Sequence, residues 1–340
     1  MTEDTTSIVS QLVKDINKKY EMPDLVTTLQ SEPLKIDSIS TQLPYLDYML
    51  GVGGIPRGRI TELFGHESSA KSTLCLYVVA ECQKQGGIAA FIDTEHSLDL
   101  NYAKLCGVDL ENMLFSQPDS GEQALELVEQ LARTGKVDLI IVDSVASLVP
   151  TREVEGDMGD NAMGVTARLM AQAMRKLQSP IKKNNVALVF TNQIRHKIGV
   201  MFGSPETTPG GLALKFSASV RIRLSKTKKI EVKLNEGDKA KTTIGSIIKF
   251  SIIKNKCAPP FKIGTFDLLF GEAPDSVGNL ALLALELKII QTTGAGNYYF
   301  VENEEADHVF IAKGKLNLSK TLKENQELME KINKIIKELI

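Results

Sequence analysis

Three runs, residues 88–92, 137–142 and 186–191, apolar except for Asp138 and Thr191, each stop at polar side chains: Asp93, Asp143 and the pair Asn192-Gln193. Stretches of helical periodicity at 74–85, 121–133 and 162–177 alternate with them. A strand that is apolar along its length is buried on both faces, and strands joined through helices run parallel. The pattern therefore dictates an α/β fold with a mostly parallel central sheet. In such sheets ligands gather at the carboxyl ends of the strands, which makes the polar terminators the first candidates for chemistry.

A further strand-like run, Arg59-Ile60-Thr61-Glu62-Leu63-Phe64, leads into Gly65-His66-Glu67-Ser68-Ser69-Ala70-Lys71-Ser72-Thr73 and then into the helix at 74–85. This is the layout of a P-loop. Backbone N–H groups wrap the phosphates of a nucleotide, a Lys (here Lys71) reaches its terminal groups, and the hydroxyl beside it (Ser72) ligates Mg²⁺. Ala70 stands where Gly is usual; if that position needs a Gly-only backbone, strain of ~1–3 kcal/mol weakens nucleotide binding. Asp143 closes the run Leu139-Ile140-Ile141-Val142 as a Walker-B carboxylate, placed to hold the Mg²⁺ water shell opposite Ser72, with Ser144 next to it. Glu95, just past the strand at 88–92, suits the base or orienting group that hydrolysis of a nucleoside triphosphate needs. An amide at Gln193 can sense the γ-phosphate and pass its presence to the loop that follows.

That loop, 195–211, is long, Gly-rich and apolar at its tip (Ile198, Val200, Met201, Phe202), with Arg195 and Lys197 beside it. Basic residues around an apolar tip suit backbone contacts plus insertion between bases; contact with a membrane or a protein partner is the alternative. The chain of 340 residues carries a net charge of −2, yet residues 221–256 hold eleven Lys and Arg against three acids. That run reads either as a solvated strand-and-turn surface or as a polyanion groove. Residues 165–184 are acid-free and carry Arg168, Arg175, Lys176, Lys182 and Lys183. Cys75, Cys82, Cys106 and Cys257 have no CxxC spacing and read as reduced, mostly buried thiols. His66, His96, His196 and His308 read as packing or hydrogen-bonding residues. The acidic, polar start resembles neither a secretory signal nor a transit peptide, and no apolar run approaches the ~20 residues of a spanning helix, so a cytoplasmic setting without membrane contact is expected.

Residues 5–20 read as a helix with Ile8, Leu12 and Ile16 on one face, followed by a polar linker. Beyond Arg221 alternating strands (220–224, 230–234, 244–253, 266–270) suggest antiparallel additions to the sheet. From about residue 276 a small α+β module follows: an apolar helix at 280–290, a strand pair and a final helix with Leu328, Ile332, Ile335 and Leu339 on one stripe. The expected domains are 1–32, an N-terminal helix and linker; 33–275, an ATPase core; and 276–340, the small module.

The segments Phe91-Ile92-Asp93-Thr94-Glu95-His96-Ser97-Leu98-Asp99, Ile141-Val142-Asp143-Ser144-Val145-Ala146, Asn192-Gln193-Ile194-Arg195, Lys197-Ile198-Gly199-Val200-Met201-Phe202-Gly203 and Lys254-Asn255-Lys256 resemble the bacterial RecA recombinases. The resemblance runs from Ile39 to about Lys323. It implies a DNA-dependent ATPase that forms a helical filament on single-stranded DNA and pairs it with homologous duplex, with a LexA-like repressor as a further partner. It makes Glu95, Gln193 and Lys71 catalytic, with Tyr102 stacking on adenine and Asp99 at its edge. It has Lys254 and Lys256 reach a neighbouring protomer's nucleotide. DNA contacts fall on Met163, Gly164, Arg168 and Arg175 in a first loop, and on Arg195, His196, Lys197, Ile198, Met201, Phe202, Gly210 and Gly211 in a second. The N-terminal helix would dock on the adjacent protomer. Departures from the family pattern include Ala70, His196 for Met, Leu212 for a DNA-contacting Asn, and Thr292 for a basic residue. A ring-forming helicase-like motor with the same phosphate loop is the alternative.

Overall fold

The computed structural model describes residues 2–22, 26, 28, 36–156, 164–196, 206–232, 240–293, 295–301 and 308–339. It divides into two units, Met1–Ile36 and Asp37–Ile340. The first holds helix α1 (Thr2–Lys19), closed by paired hydrogen bonds between the Asn17 carboxamide and the Val26 backbone at 2.8 and 2.9 Å. Ile8 and Leu12, the expected apolar face, are each 54% exposed.

The second unit is built on an eight-stranded sheet. Its strands are β1 (Arg59–Gly65), β2 (Ala89–Asp93), β3 (Met113–Ser116), β4 (Leu139–Asp143), β5 (Ala187–Gln193), β6 (Val220–Val232), β7 (Thr242–Asn255) and β8 (Ile263–Leu269). Across the sheet the order is β8-β7-β6-β1-β5-β4-β2-β3. The six strands from β6 to β3 run parallel; β7 pairs antiparallel with β6, and β8 antiparallel with β7. Alternate side chains of one strand point to opposite faces. Leu139 and Ile141 of β4 accordingly join one core with Leu74 and Cys75 of helix α3 (Lys71–Lys84). Ile140 and Val142 join the other, with Val128 of α5 (Gly121–Arg133) and Met170 and Leu177 of α6 (Val165–Lys183). The expected α/β architecture is thus present, and α4 (Leu100–Leu105) lies between β2 and β3 in sequence.

Four local expectations change. In place of the two expected strands 220–224 and 230–234, Val220–Val232 forms one continuous strand that pairs with β7 through three irregularities; residues 233 and 234 lie outside the described residues. The Lys-rich middle of β6 stays extended because its neighbours Ile247 and Ile248 supply the ladder while the lysines face outward. Helix α6 continues through Pro180 to Lys183, because burying Ile181 (1% exposed) beside Leu177 outweighs the lost hydrogen bond. The terminal module has a three-stranded antiparallel sheet (Ile290–Thr292, Asn297–Phe300, Val309–Lys313) rather than a strand pair, and two closing helices, Lys315–Glu324 and Gln326–Leu339. On the last helix Ile336 replaces Leu339 in the buried stripe. The core of this module, including Leu280, Leu283 and Leu318, is continuous with the α3 side of the sheet.

Asp47 locks the approach to the sheet. It sits on α2 (Pro44–Leu50), buried, and accepts hydrogen bonds from the Ser40 hydroxyl (2.6 Å), the Thr41 hydroxyl (2.7 Å) and the Thr41 amide (3.0 Å). Burial still dominates these donors and pushes the carboxyl up from 3.8 to about 6. The folded chain then holds this proton more tightly than the unfolded chain. The stability Asp47 contributes is full below pH 4 and declines as pH rises to about 6, by on the order of 1.4 kcal/mol per unit. Asp47→Asn should remove that slope, so the gap between the denaturant midpoints of parent and variant should change across pH 4–6; parallel curves would refute the assignment.

Candidate nucleotide site and the loops around it

Strand β1 ends at Gly65, where a Cβ would lie 2.2 Å from the Leu224 carbonyl oxygen and 2.6 Å from Ser69 Oγ. Only glycine fits so close an approach. The chain then turns through Ser68 (φ 55°) and Ala70 (φ 68°, ψ 27°), and α3 starts at Lys71 with no side-chain cap. A 14-residue helix so begun presents its first N–H groups, and the positive end of its dipole, to whatever occupies the loop. Lys71 Nζ donates to the Gly65 and His66 carbonyls at 3.3 and 2.9 Å, and Ser69 Oγ to His66 at 2.7 Å. Burial pulls the Lys71 ammonium below its usual range, against the attraction of Asp143 and Glu95. Glu67 is exposed.

Asp143 is buried at the end of β4. Its carboxylate accepts the Thr191 hydroxyl from β5 and the Ser72 hydroxyl from α3. Burial raises its carboxyl above the usual range, and the two hydroxyls oppose that rise. A carboxylate and a hydroxyl side by side form the hard oxygen pair suited to a cation that keeps most of its own water. The Asp143–Ser144 peptide is cis. Ser144 Oγ donates to Glu95 Oε1 at 2.5 Å, and Gln193 Nε2 reaches the same oxygen at 3.3 Å. The parallel ladder explains this meeting: Gln193 pairs with Gly65, and Asp93 with Asp143.

Asp93 was visible in the sequence only as a strand end. Buried to 2% exposure, it accepts the amides of Glu95 (3.2 Å), Ser97 (2.9 Å) and Leu98 (3.1 Å) and the Gln117 carboxamide (3.1 Å). It is the residue that shapes the Glu95 turn. The sequence signal was the Asp one step past the apolar run with Glu two residues later. Asp99 caps α4 by accepting the Asn101 and Tyr102 amides at 2.8 and 3.1 Å. Tyr102 reaches back to the phosphate loop, its hydroxyl donating to Thr73 Oγ1 at 3.3 Å.

Lys254 and Lys256 do not join this cluster within the chain. Lys254 pairs with Arg221, which is level with Glu62, three residues short of Gly65 and two strands away. Its ammonium donates to the Lys215 and Phe216 carbonyls at 2.8 and 2.9 Å. Burial first, then Lys256 and Arg221, draw it below its usual range.

For the expected DNA loops, Met163, Lys197, Ile198, Met201 and Phe202 lie outside the described residues. Gly164 (φ 81°) opens α6, along which Arg168 and Arg175 are exposed. The second loop is not irregular throughout: Arg195–His196 pairs antiparallel with Glu206–Thr207. His196 stacks on His66 of the phosphate loop, ring centroids 5.9 Å apart and planes 22° apart, so two histidines read separately in the sequence meet. Gly210 (φ 81°) and Gly211 (φ 73°) close the loop against α6 and its neighbourhood, where a Cβ would come within 2.8 Å of Val145 and 3.0 Å of Ala167. The basic run at 221–256 is divided. Arg221 and Arg223 are taken up by Glu62 and Glu206 at 2.5 and 2.6 Å, while Lys226, Lys228 and Lys229 are exposed on β6.

Ala70 adopts the left-handed backbone that its residue type disfavours by roughly 1 kcal/mol relative to Gly. Its methyl is buried beside Leu74, which contributes about 0.8 kcal/mol in return. The two effects nearly cancel. Ala70→Gly should therefore change affinity for ATP by less than about fivefold in titration calorimetry; a gain beyond tenfold would show that the methyl offsets nothing.

The RecA N-terminal domain matches residues 7–275. The protein named Protein RecA of Rubrobacter xylanophilus is 46% identical over 338 residues, covering 99% of this chain and 94% of the relative. That of Helicobacter pylori is 47% identical over 339 residues (99% and 94%), and that of Chlorobium chlorochromatii 48% over 310 residues (91% and 84%). The ring-motor alternative finds no support among them. A phosphate loop, a buried strand-end carboxylate, a Glu–Gln pair and a family match across most of the chain lead to one conclusion: the chain belongs to the RecA family.

Proposed function

We propose that this chain is a recombinase that binds ATP at the loop Gly65–Thr73, hydrolyses it in response to DNA, and uses the bound nucleotide to set the grip of two loops on single-stranded DNA. The helix terminus at Lys71 and the ammonium of Lys71 receive the phosphates. Ser72 and Asp143 fit Mg²⁺, which when bound neutralises charge on the β- and γ-phosphates. Tyr102, tied to Thr73, offers a ring for adenine, with Asp99 beside it. Glu95 orients the attacking water, with its carboxylate steadied by Ser144 and by Gln193.

The observation that carries the reading is the 3.3 Å contact between Gln193 Nε2 and Glu95 Oε1. Gln193 is at once level with the first glycine of the phosphate loop and the last residue of the strand that leads into the second DNA loop. A γ-phosphate that competes for the Gln193 amide would move the root of that loop. DNA that holds the loop would in turn shift Gln193 and free Glu95 for water. Lys254 and Lys256, remote from their own phosphate loop, serve a neighbouring protomer's nucleotide in a helical filament. The uncovered Ile8–Leu12 stripe of α1 suits docking on that neighbour. Homologous duplex DNA is the second substrate, a LexA-like repressor is a further partner, and the setting is cytoplasmic; among the described residues no helix is long and apolar enough to cross a membrane.

Turnover of ATP measured with and without single-stranded DNA tests this reading. The parent should be stimulated by DNA. Glu95→Gln should lose about 10²–10⁴-fold in stimulated rate while still binding ATP and DNA, the range expected on removing a positioned base. A DNA-independent rate in the parent, or a closed hexamer that unwinds forks, would overturn it.

A further inference from the structure

Glu62 is a carboxylate with no exposure, in the middle of β1, near the centre of the sheet. Burying a charge in a sheet is costly, and an ion pair there is weak grounds for stability, since apolar residues of similar volume commonly serve as well. What Glu62 holds is more informative. Its Oε2 accepts Arg221 Nε from β6 at 2.5 Å, and its Oε1 accepts Asn192 Nδ2 from β5 at 3.0 Å. The Arg221 guanidinium also lies 4.6 Å from the Phe64 ring centroid, which fixes its plane.

Asn192 has no slack either. Its Nδ2 also donates to the Pro209 carbonyl at 3.2 Å, and its Oδ1 accepts the Gln193 amide at 3.0 Å. One carboxamide thus ties the outgoing stem of the second DNA loop, at Gln193, to its returning stem, at Pro209. Glu62 holds that carboxamide in place. Arg221, the other partner of Glu62, is the cross-strand neighbour of Lys254.

We propose that Glu62, with Asn192 and Arg221, is a positioning clamp that makes the two stems of the second loop move as one, so that DNA held by the loop acts on Gln193. The clamp rests on the functional reading above and touches neither nucleotide nor DNA. Without it the returning stem and Gln193 move independently, and DNA occupancy no longer reaches Glu95. The network further links the strand that carries Lys254 to the same carboxamide.

The test compares the parent with Glu62→Gln, which keeps an acceptor for Asn192 but leaves Arg221 unpaired. It also uses the double variant Glu62→Leu with Arg221→Met, which replaces the ion pair by apolar groups, and Asn192→Ser, which leaves the ion pair and cuts the link to Pro209. ATP turnover with saturating single-stranded DNA divided by turnover without it, KM for ATP and the thermal midpoint are measured for each. We expect the double variant to keep the parent's midpoint within a few degrees and KM within threefold, while its stimulation ratio falls at least tenfold. Asn192→Ser should show the same fall, and Glu62→Gln a fall accompanied by a lowered midpoint. A folded double variant or Asn192→Ser with the parent's ratio would reduce the cluster to packing. If the parent itself shows no stimulation, the functional reading fails and the clamp fails with it; stimulation in the parent that survives in the variants sinks the clamp alone.

Discussion

The parallel pairing of β1 with β5 fixes the site. It sets Gly65 beside Gln193, and the β4–β2 ladder sets Asp143 beside Asp93. These registers bring the loop after Gly65, Asp143, Glu95 and Gln193, the residues on which the proposed function rests, to one edge although nearly 130 residues separate the first from the last. A slip of one residue would turn each of these side chains to the opposite face. The apolar strand interiors prevent the slip, because both faces of the sheet are buried and each has its own set of complementary side chains.

Among the described residues four acids are buried, and each is surrounded differently. Asp93 is enclosed by three backbone amides and one carboxamide and acts as the former of a turn. Asp143 has two hydroxyl donors, a modest shell that leaves it able to take a cation. Glu62 has a guanidinium and a carboxamide, and Asp47 two hydroxyls and an amide. Donor type varies with what each acid does. Backbone amides enclose the carboxylate that shapes a turn, and hydroxyls the carboxylate that the proposed function gives to a metal, although Asp47 has hydroxyl donors without that role. A full opposite charge stands where strands must be tied.

The parts of this arrangement that are local in sequence were legible there. Apolar runs with polar terminators marked the strands of the sheet, and the glycine-to-lysine segment marked the turn from β1 into α3. Glu95, Asp143 and Gln193 were readable as strand ends. What escaped depended on contacts across the fold. The strand Met113–Ser116 has only four residues and leaves Leu114 and Phe115 exposed, so no periodicity marks it. Pro180 reads as a helix stop until the burial of Ile181 is seen. The basic run at 221–256 could not show which of its members would meet Glu62 or Glu206. The His66–His196 contact joins positions 130 apart and carries no signature at either.

That imidazole stack has a thermodynamic corollary. It joins the loop that the proposed function gives to phosphate with the hairpin at the root of the loop that it gives to DNA. Free-energy coupling between two ligands is symmetrical, whatever the order of their arrival. If triphosphate displaces the ring at 66 and thereby tightens the hold of the hairpin on a strand, that strand must tighten the hold on triphosphate by the same factor. In a polymer of such subunits, each occupied neighbour would bias the next toward retention of its fuel.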